Sequence, residues 1–294
     1  MPTAVLAFDF DPFLHVGDSA IRWETVGIAA AVFAAIVLAG VGAGRRGLRV
    51  DDLLFVVLGI VPGAVVGGRI GYVLLHAAFF SAEPSRILDP GVGSLELTLA
   101  VVGGCVTGAL VAVLLDGRPG AWLQLAALPT LLALALGKLA TVLGGTGQGV
   151  ATTGEPATAY LGAGPWGSLG PAIPSVPSGA LEGLATIGVL VIVAILSLVP
   201  GLRRSDGRLF VIAVGLWAVV RGVVASTWRD PVVAGPLRAE QLIAAIVALG
   251  ALAGIIGLVA LHRGDEPDER GLRDASREPA QPRFATGEGR PDRG

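Results

Sequence analysis

Cysteine, lysine, histidine and charge are all scarce in this sequence. Its 294 residues include one cysteine (Cys105), one lysine (Lys138), two tyrosines and three histidines, and only 15% are charged. A lone cysteine excludes an intramolecular disulfide and a thiolate metal cluster, and three scattered histidines with no helical pair argue against a metal site. No cofactor is expected. The formal net charge of -2 says little about partners, and no nucleic-acid partner is expected. What dominates instead is hydrophobicity, with 53% apolar residues and a mean hydropathy of +0.74, outside the range of soluble domains. The expected class is an all-α polytopic protein, integral to a membrane.

Apolar runs long enough to cross roughly 30 Å of hydrocarbon lie at about 26–43, 53–78, 95–115, 121–143, 180–200, 209–228 and 239–261. The first 25 residues carry Asp9, Asp11, Asp18 and Glu24 against the single cation Arg22, so no cleavable signal is expected and the first span should remain. Seven spans put the ends on opposite sides. Arg45, Arg46, Arg49, Arg118, Arg203, Arg204, Arg208 and the tail arginines fall on one side, and Arg22, Arg86, Arg229 and Arg238 on the other, fourteen cations against four. Cations collect in the cytoplasm, which predicts an external N-terminus and a cytoplasmic C-terminus.

Two segments stand apart from the spans. The outward connection 144–179 is rich in Gly, Pro, Ser and Thr with one tryptophan, Trp166, and suits either an ordered cap or a flexible connector. The region after the seven-helix domain (1–262) mixes charges of both signs with few apolar residues, and 263–294 reads as a disordered cytoplasmic tail. Spacings such as Gly63 with Gly67, Gly104 with Gly108 and Gly250 with Gly254 would let helices approach closely.

Three cations interrupt the apolar spans. Counting about 1.5 Å per residue from the inner starts puts Arg69, Lys138 and Arg221 all in the outer half of the bilayer. A buried cation costs about 2.5 to 3.5 kcal/mol at the membrane centre, so each needs a partner, water or a route to the interface. One account is snorkelling or pairing with Glu24, Glu96 or Glu182 at outward helix ends. The other has Arg69, Lys138 and Arg221 converging on the phosphate of an anionic lipid, with the Tyr72 hydroxyl adding to the site from the face of Arg69.

The segment GGRIGYVLLH (67–76), following a first span and a short basic loop, resembles the second-helix motif of the prolipoprotein diacylglyceryl transferase family. Other pieces resemble that family in the same order. FDFDPFLHVGDSAIRW is similar to the amphipathic lead-in to the first helix, and GSLELTLAVVGG to the third helix. LGKLATVLGGTGQG stands at the signature G-R-x-G-N-x-x-N-x-E-x-x-G, VPSGALE at H-P-T-Q-L-Y-E, and the segment 206–231 at the sixth helix with Y-G-x-x-R-F-x-x-E-x-x-R-x-D-P. Arg69, Tyr72, Gly137, Gly149, Pro177, Glu182, Arg221, Asp230 and Pro231 agree with the pattern. Others depart from it: Thr98 stands where many members have histidine, Lys138 for the signature arginine, and Thr141, Gly144 and Thr146 for two asparagines and a glutamate. Glu24, Val176, Trp217, Ala225 and Trp228 replace further polar positions.

The resemblance implies a bacterial cytoplasmic-membrane enzyme that moves the diacylglyceryl group of phosphatidylglycerol to the lipobox cysteine of an exported prolipoprotein, binding that lipid and the prolipoprotein signal peptide. The chemistry needs cations for the departing phosphate and a means of favouring the thiolate. Arg69, Tyr72, Lys138 and Arg221 are the expected phosphate-binding residues, and Arg221 and Glu182 the expected catalytic pair. Glu24, Glu96, Glu182 and His76 remain alternatives for a base. Cys105, among small apolar residues, is expected to pack, and Trp217 and Trp228 to face lipid or the interface. A non-catalytic relative that binds anionic lipid or a lipoprotein precursor is the alternative, and a transporter the third.

Overall fold

A computed structural model describes residues 5–89, 92, 95–167 and 169–264. The expected charged tail, 263–294, lies almost wholly outside them. A compact unit runs from Met1 to Ile255, and a second begins at Ile256, where the described residues continue the last helix. Among the described residues seven helices are long and apolar enough to cross a membrane: α1 (Trp23–Arg45), α2 (Val50–Leu75), α4 (Leu97–Asp116), α5 (Pro119–Gly144), α6 (Ser178–Leu196), α7 (Arg208–Val224) and α8 (Ala239–Gly264). Helices suit these runs because each satisfies its own backbone groups where no water is available. The second span ends earlier than expected: after Leu75 the chain turns into a short helix, α3 (Ala77–Ala82), and a 3-10 turn over Pro84–Leu88.

Small residues set the closest helix contact. At the α2–α4 crossing the backbones touch: a Cβ on Gly63 would lie 2.2 Å from the Gly103 carbonyl oxygen, and one on Gly67 2.2 Å from that of Leu99. Gly68 and Gly71 continue this face, and Glu96 packs on them, its backbone N–H donating to the Gly68 carbonyl at 2.8 Å. The glycines of GGRIGY therefore bring the start of α4, and with it Glu96, against α2. On the other side of the bundle Leu131, Val189, Val193, Leu209 and Trp217 form a core shared by α5, α6 and α7. Trp217 is 1% exposed, which corrects the expectation that it faces lipid. In contrast, Gly250 has open space around it, so its spacing with Gly254 marks no tight contact.

The fold is mostly helical, with three two-stranded ribbons that the all-α expectation missed. β1 (Val5–Phe8) pairs in parallel with β4 (Ala157–Tyr160), β2 (Phe13–Val16) forms a hairpin with β3 (Ser19–Arg22), and β5 (Val232–Ala234) pairs with β6 (Leu237–Arg238). Phe8 stacks on Tyr160 at 5.2 Å, and Trp166 packs on both Tyr160 and Phe10 at 4.8 and 5.0 Å. The Tyr160 hydroxyl donates to the Val142 carbonyl at 3.0 Å, fastening this layer to the end of α5. The described residues of the 144–179 connection are thus held against β1 and the end of α5.

Gly103→Val should force α2 and α4 apart, since its Cβ would meet the Gly63 carbonyl oxygen at 2.1 Å. Thermal unfolding of the purified protein should show a loss of several degrees, about 2 kcal/mol or more for overpacking. Gly188→Ala, on an open face of α6, should leave the melting temperature unchanged or slightly raised.

Candidate active site at a buried ionic centre

Arg221, on α7, is 3% exposed and its guanidinium is engaged on every side. Its Nε donates to the Thr98 hydroxyl at 2.9 Å, its Nη1 to Glu182 and its Nη2 to Glu240. The same Nη2 lies 3.5 Å from Oε1 of Glu96. The acids come from three other helices: Glu96 caps α4, Glu182 lies in α6 and Glu240 in the first turn of α8. The lack of an acid within a turn of Arg221 in sequence is therefore met through tertiary structure. Arginine fits the position because its planar fork offers donors along three edges at once.

Glu182 joins this cation to the second. It is fully buried and accepts from Lys138 Nζ at 3.0 Å and from the Trp228 indole at 3.1 Å as well as from Arg221. Lys138 in turn sits 4.6 Å above the Trp228 ring, a cation–π contact. Trp228 is thus part of the centre, not a lipid-facing belt residue. Glu96, one of the acids expected to pair with a membrane cation, is 4% exposed and takes the backbone N–H groups of Thr98 and Leu99, both at 2.6 Å. Two cations face three carboxylates here.

The remaining expected residues are distributed around this core. Lys138, Arg221 and Glu182 come together. Arg69 makes its contacts elsewhere: it donates to the carbonyls of Ile87, Val92, Arg86 and Asp89 at 2.5, 2.7, 2.7 and 3.0 Å and stands 5.3 Å over the Phe80 ring. It holds the connection before α4 in place. Tyr72 stacks on His76 at 4.1 Å beneath that connection. Glu24 accepts from the Thr146 hydroxyl at 2.6 Å under the cap, where burial and this carboxylate push the Tyr160 hydroxyl up to about 12. Cys105 lines an apolar cavity of about 360 Å³ between α2, α4 and α5, a packing position.

Two further side chains, Asp230 near the centre and Gln148, keep buried polar atoms without a protein partner. Asp230, beyond the end of α7, has a buried Oδ2 with no protein partner. Burial raises its pKa from the ordinary value, against the opposing pull of Arg221, Lys138, Arg238 and His76. Gln148, 1% exposed, has both amide atoms unpartnered. Glu240 escaped the sequence reading because an acid in a first helical turn ordinarily serves the helix dipole in solvent. The signal that could have revealed it is charge balance, since Arg221 needs more than one acid at its depth.

The fold and this centre define a polytopic membrane protein that keeps ion-paired side chains between its helices. More specifically, the chain belongs to the prolipoprotein diacylglyceryl transferase family, whose sequence pattern it matches over residues 12–257. It is 26% identical over 275 residues to a phosphatidylglycerol–prolipoprotein diacylglyceryl transferase of Symbiobacterium thermophilum, covering 87% of this chain and 93% of the relative. The corresponding protein of Clostridioides difficile is 24% identical over 243 residues, 83% of this chain and 92% of the relative. One from Streptococcus agalactiae is 32% identical over 129 residues, 42% of this chain, and there the chain spans about half the relative's length, 49%. With seven spans and bacterial relatives, the protein is a multi-pass protein of a bacterial plasma membrane.

Arg221→Gln should leave three buried carboxylates facing one cation and destabilise the protein by about 3 to 5 kcal/mol, read by thermal or denaturant unfolding. Combining it with Glu182→Gln should recover part of that loss, a coupling visible in a double-mutant cycle.

Proposed function

We propose that this protein transfers the diacylglyceryl group of phosphatidylglycerol to the lipobox cysteine thiol of an exported prolipoprotein. The observation that carries this reading is the meeting of Lys138 and Arg221 on Glu182 inside the membrane domain of a chain of this family. In the reaction the thiolate forms a C–S bond to the glycerol carbon that bears the phosphate. The C–O bond to that phosphate breaks, and glycerol phosphate departs with the electron pair. Charge grows on the phosphate oxygens as the bond breaks, and cations already held in a dry site stabilise it without reorganisation. Arg221 offers fork geometry toward a phosphate, and Lys138 a compact charge.

Glu182 touches both cations, fixes their positions, and is the candidate to receive the thiol proton. Arg69 and Tyr72 take an indirect part in this reading: Arg69 anchors the connection leading to Glu96, and Tyr72 supports His76 beside it. The cap formed by β1, β4 and the aromatic layer would receive the peptide partner on the outer side, with the C-terminus in the cytoplasm. The distribution of loop cations supports that orientation. A second reading is a non-catalytic protein that binds anionic lipid. It is favoured by one observation, that Thr141, Gly144, Thr146 and Val176 stand at polar signature positions of the family while Arg69, Lys138 and Arg221 remain as cations.

Complementation separates the two. The chain expressed in cells depleted of their own transferase should restore lipoprotein lipidation, and membrane-localised protein without rescue would rule out the enzymatic reading. Lys138→Ala should lower the rate about 10² to 10³-fold, the usual cost of removing one preorganised donor of transition-state charge.

A further inference from the structure

The last helix is held differently from the rest. Most of the α8 surface faces away from the bundle, and small residues seat it on α7: a Cβ on Gly222 would lie 3.4 Å from that of Ala244, and one on Gly215 3.0 Å from that of Ala251. Polar contacts fasten one end of it. Besides the Glu240–Arg221 pair, the Ala239 N–H donates to the Pro231 carbonyl at 3.1 Å, and Arg238 Nη1 to that of Asp230 at 2.6 Å. Gln241 donates to the Gly222 carbonyl at 3.3 Å.

Beside that fastening, between α7 and α8, lies a groove of about 500 Å³ lined by Ala218, Gly222, Val223, Ala244, Ala245 and Ala248. Its size falls within the range of about 300 to 1,000 Å³ typical of ligand sites. Gly222 follows Arg221 directly in α7, and Gln241, which also lines the groove, follows Glu240 in α8, so the groove lies beside the turns that carry this pair. Because both walls belong to membrane-spanning helices, the surroundings of the groove are hydrocarbon and its natural occupant is an acyl chain.

The three carboxylates on Arg221 are not equally tethered. Glu182 is also bound by Lys138 and Trp228, and Glu96 by two backbone N–H groups. Among the described contacts Glu240 is held by Arg221 alone. Carboxylate and phosphate oxygens suit the same donor edge of a guanidinium, so one can replace the other. A bare guanidinium within the bilayer would be costly, which gives a replaceable acid a purpose.

We propose that the α7–α8 groove is an acyl-chain site for an anionic phospholipid, and that Glu240 is the counter-ion which the lipid phosphate displaces from Arg221. The lipid is named as phosphatidylglycerol because this inference rests on the transferase reading. Displacement exchanges one anion for another at Arg221, so the guanidinium is never left without a counter-charge. The released carboxylate remains in the first turn of α8, where the helix N-terminus favours it.

The test is native mass spectrometry of the full chain in detergent micelles, titrated with phosphatidylglycerol and, as a control of equal chain length, phosphatidylcholine. Glu240→Gln removes the competitor and should tighten phosphatidylglycerol binding about threefold or more while leaving phosphatidylcholine unchanged. Ala245→Trp, at an exposed groove position, should weaken phosphatidylglycerol binding at least about fivefold. Ala248→Leu serves the same purpose if the tryptophan variant fails to fold. Weaker or unchanged phosphatidylglycerol binding in Glu240→Gln would overturn the counter-ion, as would groove variants that bind normally for the acyl-chain site. Transfer activity of the unmodified chain is read separately. Activity with no effect of these variants sinks the groove alone, whereas the predicted lipid effects without activity sink the transferase reading alone.

Discussion

One guanidinium, buried where no water can solvate it, ties together five of the seven spans. Arg221 on α7 reaches Thr98 and Glu96 at the start of α4, Glu182 in α6 and Glu240 in α8, and Glu182 brings in Lys138 from α5. In hydrocarbon the association of helices gains little from apolar contact, so such polar links and close small-residue packing carry the specificity. Both are used here. The glycine face of α2 lets α4 approach until Glu96 rests on Gly68 and Gly71, and that approach delivers one of the acids Arg221 requires.

The same centre reconciles stability with chemistry. Buried ion pairs are poor sources of net stability, because the attraction mainly offsets desolvation. Five ionised groups in one place are therefore better understood as a site than as a brace. The three carboxylates neutralise the two cations and differ in how firmly they are held: Glu182 by Lys138, Trp228 and Arg221, Glu96 by backbone N–H groups, and Glu240 by Arg221. α8 closes one side of the centre through Glu240 in its first turn.

The seven spans were legible in the sequence because hydrophobic length alone specifies them. Lys138, Arg221 and Glu182 were legible as well, since an ion inside an apolar run has few innocent explanations. Arg69 was legible as a buried cation but not in its contacts, because backbone carbonyls of a following turn leave no mark in residue types. Trp217 and Trp228 were misplaced: the interface preference of tryptophan is statistical, and here one ring fills the helix core while the other binds a carboxylate. The β1–β4 pairing joins segments about 150 residues apart and could not be read from either strand by itself.

The most direct measurement of the central claim is mass spectrometry of a lipobox peptide incubated with the purified protein in nanodiscs containing phosphatidylglycerol. If Arg221 and Lys138 stabilise a departing phosphate, the peptide cysteine gains the mass of one diacylglyceryl group, glycerol phosphate appears in equal amount, and Arg221→Lys lowers both together. Protein that retains bound phosphatidylglycerol yet leaves the peptide unmodified would contradict the account and identify the ionic centre as a lipid-binding site without chemistry.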